Sequence, residues 1–267
     1  MVDKVIRNLE SDVDYGENKI IKKDCIFTGS SILFRGKNNI LYIEDGANIS
    51  GVVIKFLGDN SLVYIGKSKT SYAFQLNIFH DSVFYMGSGN SFSGKKPIFQ
   101  LSERKNIFIG DDNMFSYGVS VRVADPHLIY SIESFERINP SKSVYIGDHV
   151  WLGQNVTIFK GNKIGSGSIL GGESLITKNI PSNVSAGGNP VRVIKEGIFW
   201  LRPAVHAFKK EHTDRWASYH KDDFIYSKET ETSEFDNIEN FIIQDISAKE
   251  KLEFLKALPK DKNRFYL

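Results

Sequence analysis

The 267-residue sequence has little that marks a disulfide-rich, membrane-spanning or nucleic-acid-binding protein. Its single cysteine, Cys25, excludes an intramolecular disulfide framework and a cysteine-based zinc cluster, which suits a reducing compartment. No stretch approaches the ~20 apolar residues of a membrane span, and residues 1–12 lack an apolar run. The formal net charge is only +2 with both signs mixed, so nothing favours nucleic acid as a partner. A cytoplasmic protein without a membrane span is therefore expected.

A six-residue period runs from Ile146 to Pro190. Cut into sixes, its first 36 residues, from Ile146 to Pro181, read IGDHVW, LGQNVT, IFKGNK, IGSGSI, LGGESL and ITKNIP, so every block opens with Ile or Leu. A period of six fits neither the ~3.6-residue turn of a helix nor the alternation of a strand. The pattern predicts a parallel β-helix built from hexapeptides, in which the leading aliphatic residue points inward and Gly or Asn occupies the corners.

A second repeat covers the middle of the chain and is written five times: LYIE, VYIG, FYMG, IFIG and VYIG. Its anchors lie 22, 21, 23 and 37 residues apart at Ile43, Ile65, Met86, Ile109 and Ile146. The alternation predicts a ladder of outward aromatic side chains, namely Tyr42, Tyr64, Tyr85, Phe108 and Tyr145. Because the fourth interval is longer by about fifteen residues, a loop insertion is predicted at about 120–141 on a functional face.

The hexapeptide region resembles the hexapeptide-repeat acyltransferases, and Gly188 to Arg192 is similar to their coil-ending signature. This resemblance implies a left-handed parallel β-helix, an exception to the usual right-handed crossover. The expected fold is therefore an all-β solenoid with a loop insertion and a small, partly helical C-terminal region. The predicted domains are a β-helix acetyltransferase domain over 1–196 and a C-terminal extension over 197–267.

Three segments of the C-terminal extension have distinct patterns. Residues 247–258 combine a capping box at Ser247 and Glu250 with leucines on one face, which predicts a helix. Residues 203–220 predict a weaker helix, and the acidic segment 222–239 is interpreted as a solvated connector. The whole extension is expected to cap the β-helix or to pack on a neighbouring subunit.

Acetyl transfer from a thioester to an alcohol requires a base for the hydroxyl proton and a donor for the developing oxyanion. Histidine suits the role of base, and a carboxylate on its other nitrogen would orient it. Asp125 and His127, inside the predicted insertion, are the candidates for this pair. The other histidines are expected to be polar or surface residues, with His149 the next candidate base: His80, His149, His206, His212 and His220.

Segments 125–127, 129–131, 136–139 and 146–153 are similar to bacterial capsule O-acetyltransferases, in particular the polysialic acid O-acetyltransferase type. This resemblance implies that His127 is the general base, that Trp151 lines the site, and that the base acts across a subunit boundary of a homotrimer. The outer aromatic ladder is expected to supply apolar area for that assembly. The resemblance also implies acetyl-CoA as cosubstrate, with no metal, along the final coils at Gly153, Gly171, Ser174, Thr177, Lys178, Gly187, Pro190 and Arg192.

Aromatic and basic residues around the insertion indicate which kind of acceptor binds there. They are Tyr117, Arg122, Tyr130 and Arg137. Such residues along an open groove suit an extended glycan that carries carboxylates. The expected activity is O-acetylation of a sugar hydroxyl in a capsular polysaccharide, for which a polymer that contains sialic acid is an example. Three alternatives remain at this stage: an N-acetyltransferase for an amino-sugar nucleotide, a zinc-dependent β-helix hydratase, and a non-catalytic binding solenoid.

Overall fold

The structure is a computed structural model that describes residues 4–9, 15–229 and 233–267. The strands in this part of the chain are β1 (Lys4–Ile6), β2 (Lys19–Lys22), β3 (Cys25–Thr28), β4 (Ser31–Phe34), β5 (Ile40–Ile43), β6 (Ala47–Ser50), β7 (Val53–Phe56), β8 (Leu62–Ile65), β9 (Gln75–Ile78), β10 (Val83–Met86), β11 (Ser91–Phe92), β12 (Ile98–Leu101), β13 (Ile107–Ile109), β14 (Met114–Phe115), β15 (Ser120–Arg122), β16 (Val144–Ile146), β17 (Trp151–Leu152), β18 (Thr157–Ile158), β19 (Lys163–Ile164), β20 (Ile169–Leu170), β21 (Leu175–Ile176), β22 (Val184–Gly187) and β23 (Arg192–Glu196). A 3-10 turn (Val205–Ala207) and the helices α1 (Lys210–Arg215), α2 (Glu234–Ile242) and α3 (Ala248–Lys256) follow.

The strands form three flat faces of a solenoid, and successive coils add one strand to each face. Face 1 contains β2, β5, β8, β10, β13, β16 and β19. Face 2 begins with the pair β3 and β6 and continues with β11, β14, β17, β20, β22 and β23, while face 3 contains β1, β4, β7, β9, β12, β15, β18 and β21. Pairing among the described strands is parallel except at the two ends, where β1 meets β4 and β23 meets β22 antiparallel. The corners are named here by the faces that they join.

The repeated motif sets the register of face 1. Ile65 lies opposite Ile43 in one neighbouring coil and opposite Met86 in the other, and all three point into a dry core. The corners bring the coils close together: a Cβ atom on Gly110 would lie only 2.6 Å from the carbonyl oxygen of Gly147. Glycine is therefore required at this corner because any side chain would push the coils apart.

The aromatic ladder of face 1 is covered by the chain itself. Tyr64, Tyr85, Phe108 and Tyr145 are at most 4% exposed and share one apolar cluster with residues of α2 and α3, namely Phe235, Ile238, Ile242, Leu252 and Leu255. Burying a side chain of this size contributes about 1.5–3 kcal/mol, so the cover is held by a large apolar contact. The expectation that this ladder is a contact surface for a homotrimer is therefore wrong.

Two of the three C-terminal expectations need correction. The helix around 247–258 is confirmed as α3, where Ser247 accepts a hydrogen bond from the Glu250 N–H and Glu250 accepts one from the Ser247 N–H. The interpretation of 222–239 as a solvated connector is wrong from Glu234 onward, because α2 begins there; residues 230–232 lie outside the described part. The helix expected over 203–220 is reduced to the 3-10 turn and α1.

Ion pairs join the last residues of the chain to the corner between faces 1 and 2. The Arg264 side chain, only 3% exposed, places Nε 2.9 Å from Asp148 Oδ2 and Nη2 2.9 Å from Asp111 Oδ2. Phe265 stacks on Phe235 of α2 at 4.6 Å between ring centres. This contact holds the helical cover against the solenoid, and the predicted division into two domains at residue 196 stays a prediction.

None of the helices within residues 4–9, 15–229 and 233–267 has the length and apolar character needed to cross a lipid bilayer.

Candidate active site

The predicted insertion leaves the solenoid at the corner between faces 3 and 1. It starts after Arg122, the last residue of β15, and ends before Val144, the first residue of β16, so the predicted start at 120 is slightly early. Its tip is a small hairpin, in which the N–H of Ile138 donates to the carbonyl oxygen of Ile129 at 2.9 Å. The insertion is therefore an ordered loop that stands off the wall of the solenoid.

Asn139 is the centre of the hydrogen-bond network that shapes this loop. Its buried side-chain amide donates to the carbonyl oxygen of His127 at 2.8 Å and to Asp125 Oδ2 at 3.1 Å. Its Oδ1 atom accepts from the Ile129 N–H at 2.9 Å. The network fixes the backbone on both sides of His127, while the imidazole itself remains exposed to solvent.

The carboxylate of Asp125 is directed away from the predicted partner. It accepts hydrogen bonds from Lys160 Nζ at 2.5 Å and from Asn139, and these two donors, Lys160 foremost, lower the pKa of the Asp125 carboxyl. No hydrogen bond or ion pair joins the Asp125 and His127 side chains among the described contacts. This corrects the predicted pairing: within one chain Asp125 shapes the loop and does not orient the imidazole. Lys160 was not anticipated from the sequence.

An open depression of about 260 Å³ lies beside His127, with Glu103, Arg122 and Arg137 among its lining residues. Arg137 donates two hydrogen bonds to the Glu103 carboxylate, at 2.5 and 2.9 Å. In the structure it therefore tethers the loop to the previous coil, in place of its predicted role in acceptor binding. Hydrogen bonds from Arg137 and Ser141 lower the pKa of Glu103 to about 2. The tether is thus fully present above the ordinary carboxyl pKa of 4.5 and is lost as the pH falls towards about 2.

The guanidinium of Arg122 differs from that of Arg137. It is exposed on the wall of the same depression and has no hydrogen-bond or ion-pair partner among the described side chains. A cation with no internal partner beside an exposed histidine is available to an anionic ligand. His127 and Arg122 are called the loop half-site below. Tyr130, also predicted to bind the acceptor, is exposed on the hairpin.

Trp151 and Tyr117 lie elsewhere on the solenoid. Trp151 is on β17 of face 2, where it points outward with 37% of its surface exposed, and Tyr117 is exposed at the corner between faces 2 and 3. These two residues are called the wall half-site. The corner between faces 3 and 1 is opposite face 2 in a three-sided coil, so the packed core separates Trp151 from His127. One chain therefore holds the predicted site as two separate halves.

The positions implied for the cosubstrate fall into two groups. Gly153 and Ser174 serve coil packing: a Cβ on Gly153 would lie 2.6 Å from the backbone of the next coil, and the Ser174 hydroxyl donates to the Gly171 carbonyl at 2.6 Å. Gly171 differs, because the nearest atom to an added Cβ would be 3.5 Å away. It lies beside Gly187 at the corner between faces 2 and 3, and a thin ligand can approach the backbone of Gly171 closely. The Ile194 side chain covers Gly187, at 3.1 Å from where a Cβ atom would be.

The remaining implied positions are on the surface of the final coils. Thr177, Lys178, Pro190 and Arg192 are exposed, and the charged groups of Lys178 and Arg192 have no partner among the described side chains. Two exposed cations on the final coils suit phosphate oxygens. Among the described residues there is no group of three or more His, Cys, Asp or Glu side chains that could hold a metal ion.

No protein-family model matches the sequence. A polysialic acid O-acetyltransferase of Neisseria meningitidis is 32% identical over 188 residues, which are 70% of this chain and 76% of that protein. The polysialic acid O-acetyltransferase of Escherichia coli O1:K1 is 37% identical over 102 residues, 38% of this chain and 33% of that protein. The chain belongs to the hexapeptide-repeat O-acetyltransferases.

Solved structures agree with this membership. The polysialic-acid-specific acetyltransferase NeuO has a TM-score of 0.66 at 32% identity, over 75% of this chain and 94% of that one. The polysialic acid O-acetyltransferase OatWY has a TM-score of 0.58 at 27% identity, over 76% of this chain and 99% of that one. The predicted left-handed β-helix is confirmed by this likeness, and the three alternative functions receive no support from it.

In this acetyltransferase His149 is not a surface residue, contrary to the expectation from its outward hexapeptide position. It is 2% exposed and lies under residues of the segment 197–229. The hexapeptide pattern correctly gave the outward direction of the side chain. It could not show that a segment some fifty residues later folds back over it.

Replacing Asn139 by aspartate should lower kcat by about ten- to hundred-fold, because His127 would lose its backbone anchor and a second carboxylate would face Asp125. The KM for acetyl-CoA should not change. Steady-state kinetics of Asn139→Asp beside Asn240→Asp, an exposed site in α2, is the measurement. A kcat equal to that of the control would show that the loop network does not position His127.

Proposed function

We propose that this enzyme transfers the acetyl group of acetyl-CoA to a hydroxyl group of an anionic capsular polysaccharide. The main support for an anionic acceptor is the loop half-site, where an exposed histidine and an arginine without an internal partner share one open depression. The names of the relatives support it, since two of them act on polysialic acid, a polymer of carboxylated sugars. The cytoplasmic location expected from the sequence stays a prediction.

His127 is proposed as the general base. Its imidazole accepts the proton of the acceptor hydroxyl while the oxygen attacks the acetyl carbonyl carbon, so that a C–O bond forms and the C–S bond breaks. The proton leaves the imidazole to the departing thiolate, which becomes the free thiol. Acetyl-CoA supplies the activated thioester when it is bound. A backbone N–H near Trp151 is proposed to stabilise the negative charge on the carbonyl oxygen.

The cosubstrate is proposed to lie along the final coils of the wall half-site. The backbone of Gly171 leaves room for the thin pantetheine arm, and Trp151 is proposed to form a flat apolar wall for it. Lys178 and Arg192 are proposed to bind phosphate oxygens. Thr177 and Pro190 lie on the same surface and stay predicted contacts, whereas Gly153 and Ser174 support the backbone from beneath.

A ring of three chains is proposed to unite the two half-sites. The loop half-site and the wall half-site are on opposite sides of one solenoid, so a head-to-tail contact brings His127 of one chain to Trp151 of the next. Heterologous contacts of this kind close into a ring when the rotation permits. The apolar tip of the insertion supports the contact, because Ile132 is 91% exposed and Phe135 is 81% exposed.

Replacing Phe135 by aspartate should convert the trimer into monomers and abolish acetyl transfer, while the circular dichroism spectrum remains unchanged. A charge in the apolar contact would have to be desolvated without a partner. Light scattering at micromolar concentration gives the mass, and Val205→Asp is the matched control because Val205 is an exposed apolar residue outside the insertion. A trimer in the Phe135 variant, or a monomer in the wild type, would contradict the proposed assembly.

Activity should rise as the acceptor grows from a sialic acid monomer to an oligomer and a polymer, because an open depression binds an extended chain better than one sugar.

The replacement Arg122→Gln should lower kcat/KM for the polymer by about tenfold, because one charge-assisted hydrogen bond to the acceptor is lost. Thiol release from acetyl-CoA measures both effects, and Arg215→Gln, in exposed α1, is the control. Equal or better values for a monosaccharide or its nucleotide conjugate would instead indicate an enzyme that modifies a precursor.

A further inference from the structure

His149 lies in a closed aromatic slot at the corner between faces 1 and 2. Its imidazole is stacked between Trp200, at 4.1 Å and 10° between rings, and Phe224, at 3.8 Å and 13°. Its backbone has a φ of +53°, a conformation that Asn, Asp and His adopt more readily than other side chains. The slot therefore fits one flat ring and fixes its orientation.

Both nitrogens of this ring face hydrogen-bond acceptors. Nδ1 is 2.6 Å from Asp112 Oδ2, and Nε2 is 3.0 Å from the carbonyl oxygen of Trp200. Burial alone would raise the pKa of the Asp112 carboxyl, but hydrogen bonding to His149 and the charge of Arg202 lower it, so Asp112 is an ionised acceptor. A carboxylate and a carbonyl oxygen can only accept, so the ring is held between two acceptors, one at each nitrogen.

Four charged side chains lie around the ring. Asp112 faces its Nδ1 edge, and Arg202 donates to the other oxygen of that carboxylate at 2.9 Å. Asp148 is next to His149 in the chain, but its carboxylate accepts hydrogen bonds from Arg264. His149 and Arg202 thus share the Asp112 carboxylate, and each of the two holds the other in place through it.

Trp200 connects this buried ring to the wall half-site. Its indole N–H donates to the carbonyl oxygen of His149 at 2.9 Å, so that His149 and Trp200 exchange two hydrogen bonds. The ring centre of Trp200 lies 5.9 Å from that of Trp151, with 49° between the planes. Trp200 is buried and fixed, whereas Trp151 is half exposed and rests against it.

We propose that His149 is a positioning residue that fixes Trp200 and through it holds Trp151 in place for acetyl transfer. The inference rests on the proposed function of Trp151. In this proposal His149 touches neither substrate, and its effect passes through one aromatic contact. Loss of the ring would release the Trp200 carbonyl and Asp112 and allow the wall to shift.

The test compares His149→Asn with Trp151→Ala and with the double variant, and asparagine is chosen because it tolerates the positive φ but cannot reach both acceptors. We expect kcat to fall by about ten- to hundred-fold in His149→Asn with an unchanged KM for acetyl-CoA. The same replacement in the Trp151→Ala background should have no further effect, since the two residues act as one unit. His206→Asn, in the exposed 3-10 turn, is the control.

Two results would overturn the proposal: a folded His149→Asn enzyme with wild-type kcat, or a loss of equal size in the Trp151→Ala background. If the variant does not fold, Trp200→Phe is measured in its place, because it keeps a flat ring beside His149 but removes the indole N–H that donates to the His149 carbonyl oxygen. A wild-type kcat in that variant contradicts the proposal. Rates are measured as thiol released with the best acceptor found. A wrong acceptor would therefore change the proposed function and leave the comparison of variants intact.

Discussion

Replacing His127 by alanine should lower the rate of acetyl transfer by about 10²- to 10⁴-fold while the affinity for acetyl-CoA stays near that of the wild type. The reason is that a general base acts on the acceptor hydroxyl and is not among the residues proposed to hold the cosubstrate. His127 belongs to the insertion at the corner between faces 3 and 1, whereas the bare backbone at Gly171 lies at the corner between faces 2 and 3. Removing the base therefore leaves the proposed cosubstrate surface untouched.

Calorimetry with CoA and single-turnover rates with the polymer separate these two effects. Lys178→Ala is the contrasting variant, since it should weaken CoA binding and spare the chemical step at saturation. His206→Ala controls for the loss of an exposed histidine. Near-native turnover in His127→Ala would remove the residue from the mechanism.

Replacing Arg264 by alanine should lower the free energy of unfolding by about 3–5 kcal/mol, the range for breaking a buried ion pair by removing one partner. The side chain is 3% exposed and binds Asp148 and Asp111 together, so its removal leaves two carboxylates without their shared cation at a covered corner. The ion pairs that hold the C-terminal residues and the packed α2 against the solenoid would be lost with it. Urea denaturation followed by circular dichroism measures the change.

Lys260→Ala is the matched control for Arg264, because Lys260 also pairs with Asp111, at 3.3 Å, but its side chain is 57% exposed. Exposed ion pairs contribute about 0–1 kcal/mol, so this variant should unfold close to the wild type. If Arg264→Ala lowered the free energy of unfolding by less than about 1 kcal/mol, the ion pairs of Arg264 would contribute little to stability.

The solenoid could be predicted because its determinants are local and repeated. The motif around Ile43, Ile65 and Met86 sets the inward row of face 1, and each copy pairs with the same positions of the next coil. The cover over the ladder could not be found in the same way. Phe235, Ile238 and Ile242 have helical spacing, but the acidic residues between them concealed the apolar face.

Several residues of the candidate site could be predicted from the sequence, but the contacts that they make could not. The long interval before Val144 located His127, since a regular repeat exposes any insertion. The pairing of Asp125 with Lys160 and Asn139 was not predictable, because Lys160 comes from the next coil and no local pattern links it to the loop. The slot around His149 likewise depends on aromatic residues far along the chain.

Proton NMR of polysialic acid after incubation with acetyl-CoA and the purified enzyme shows directly whether the polymer is O-acetylated. The polymer should gain new O-acetyl ester signals, removed by mild base, in proportion to the thiol released, and it should gain none when His127→Ala replaces the wild type. An unmodified polymer with wild-type enzyme that releases thiol only with a neutral sugar or an amine would contradict the proposed function.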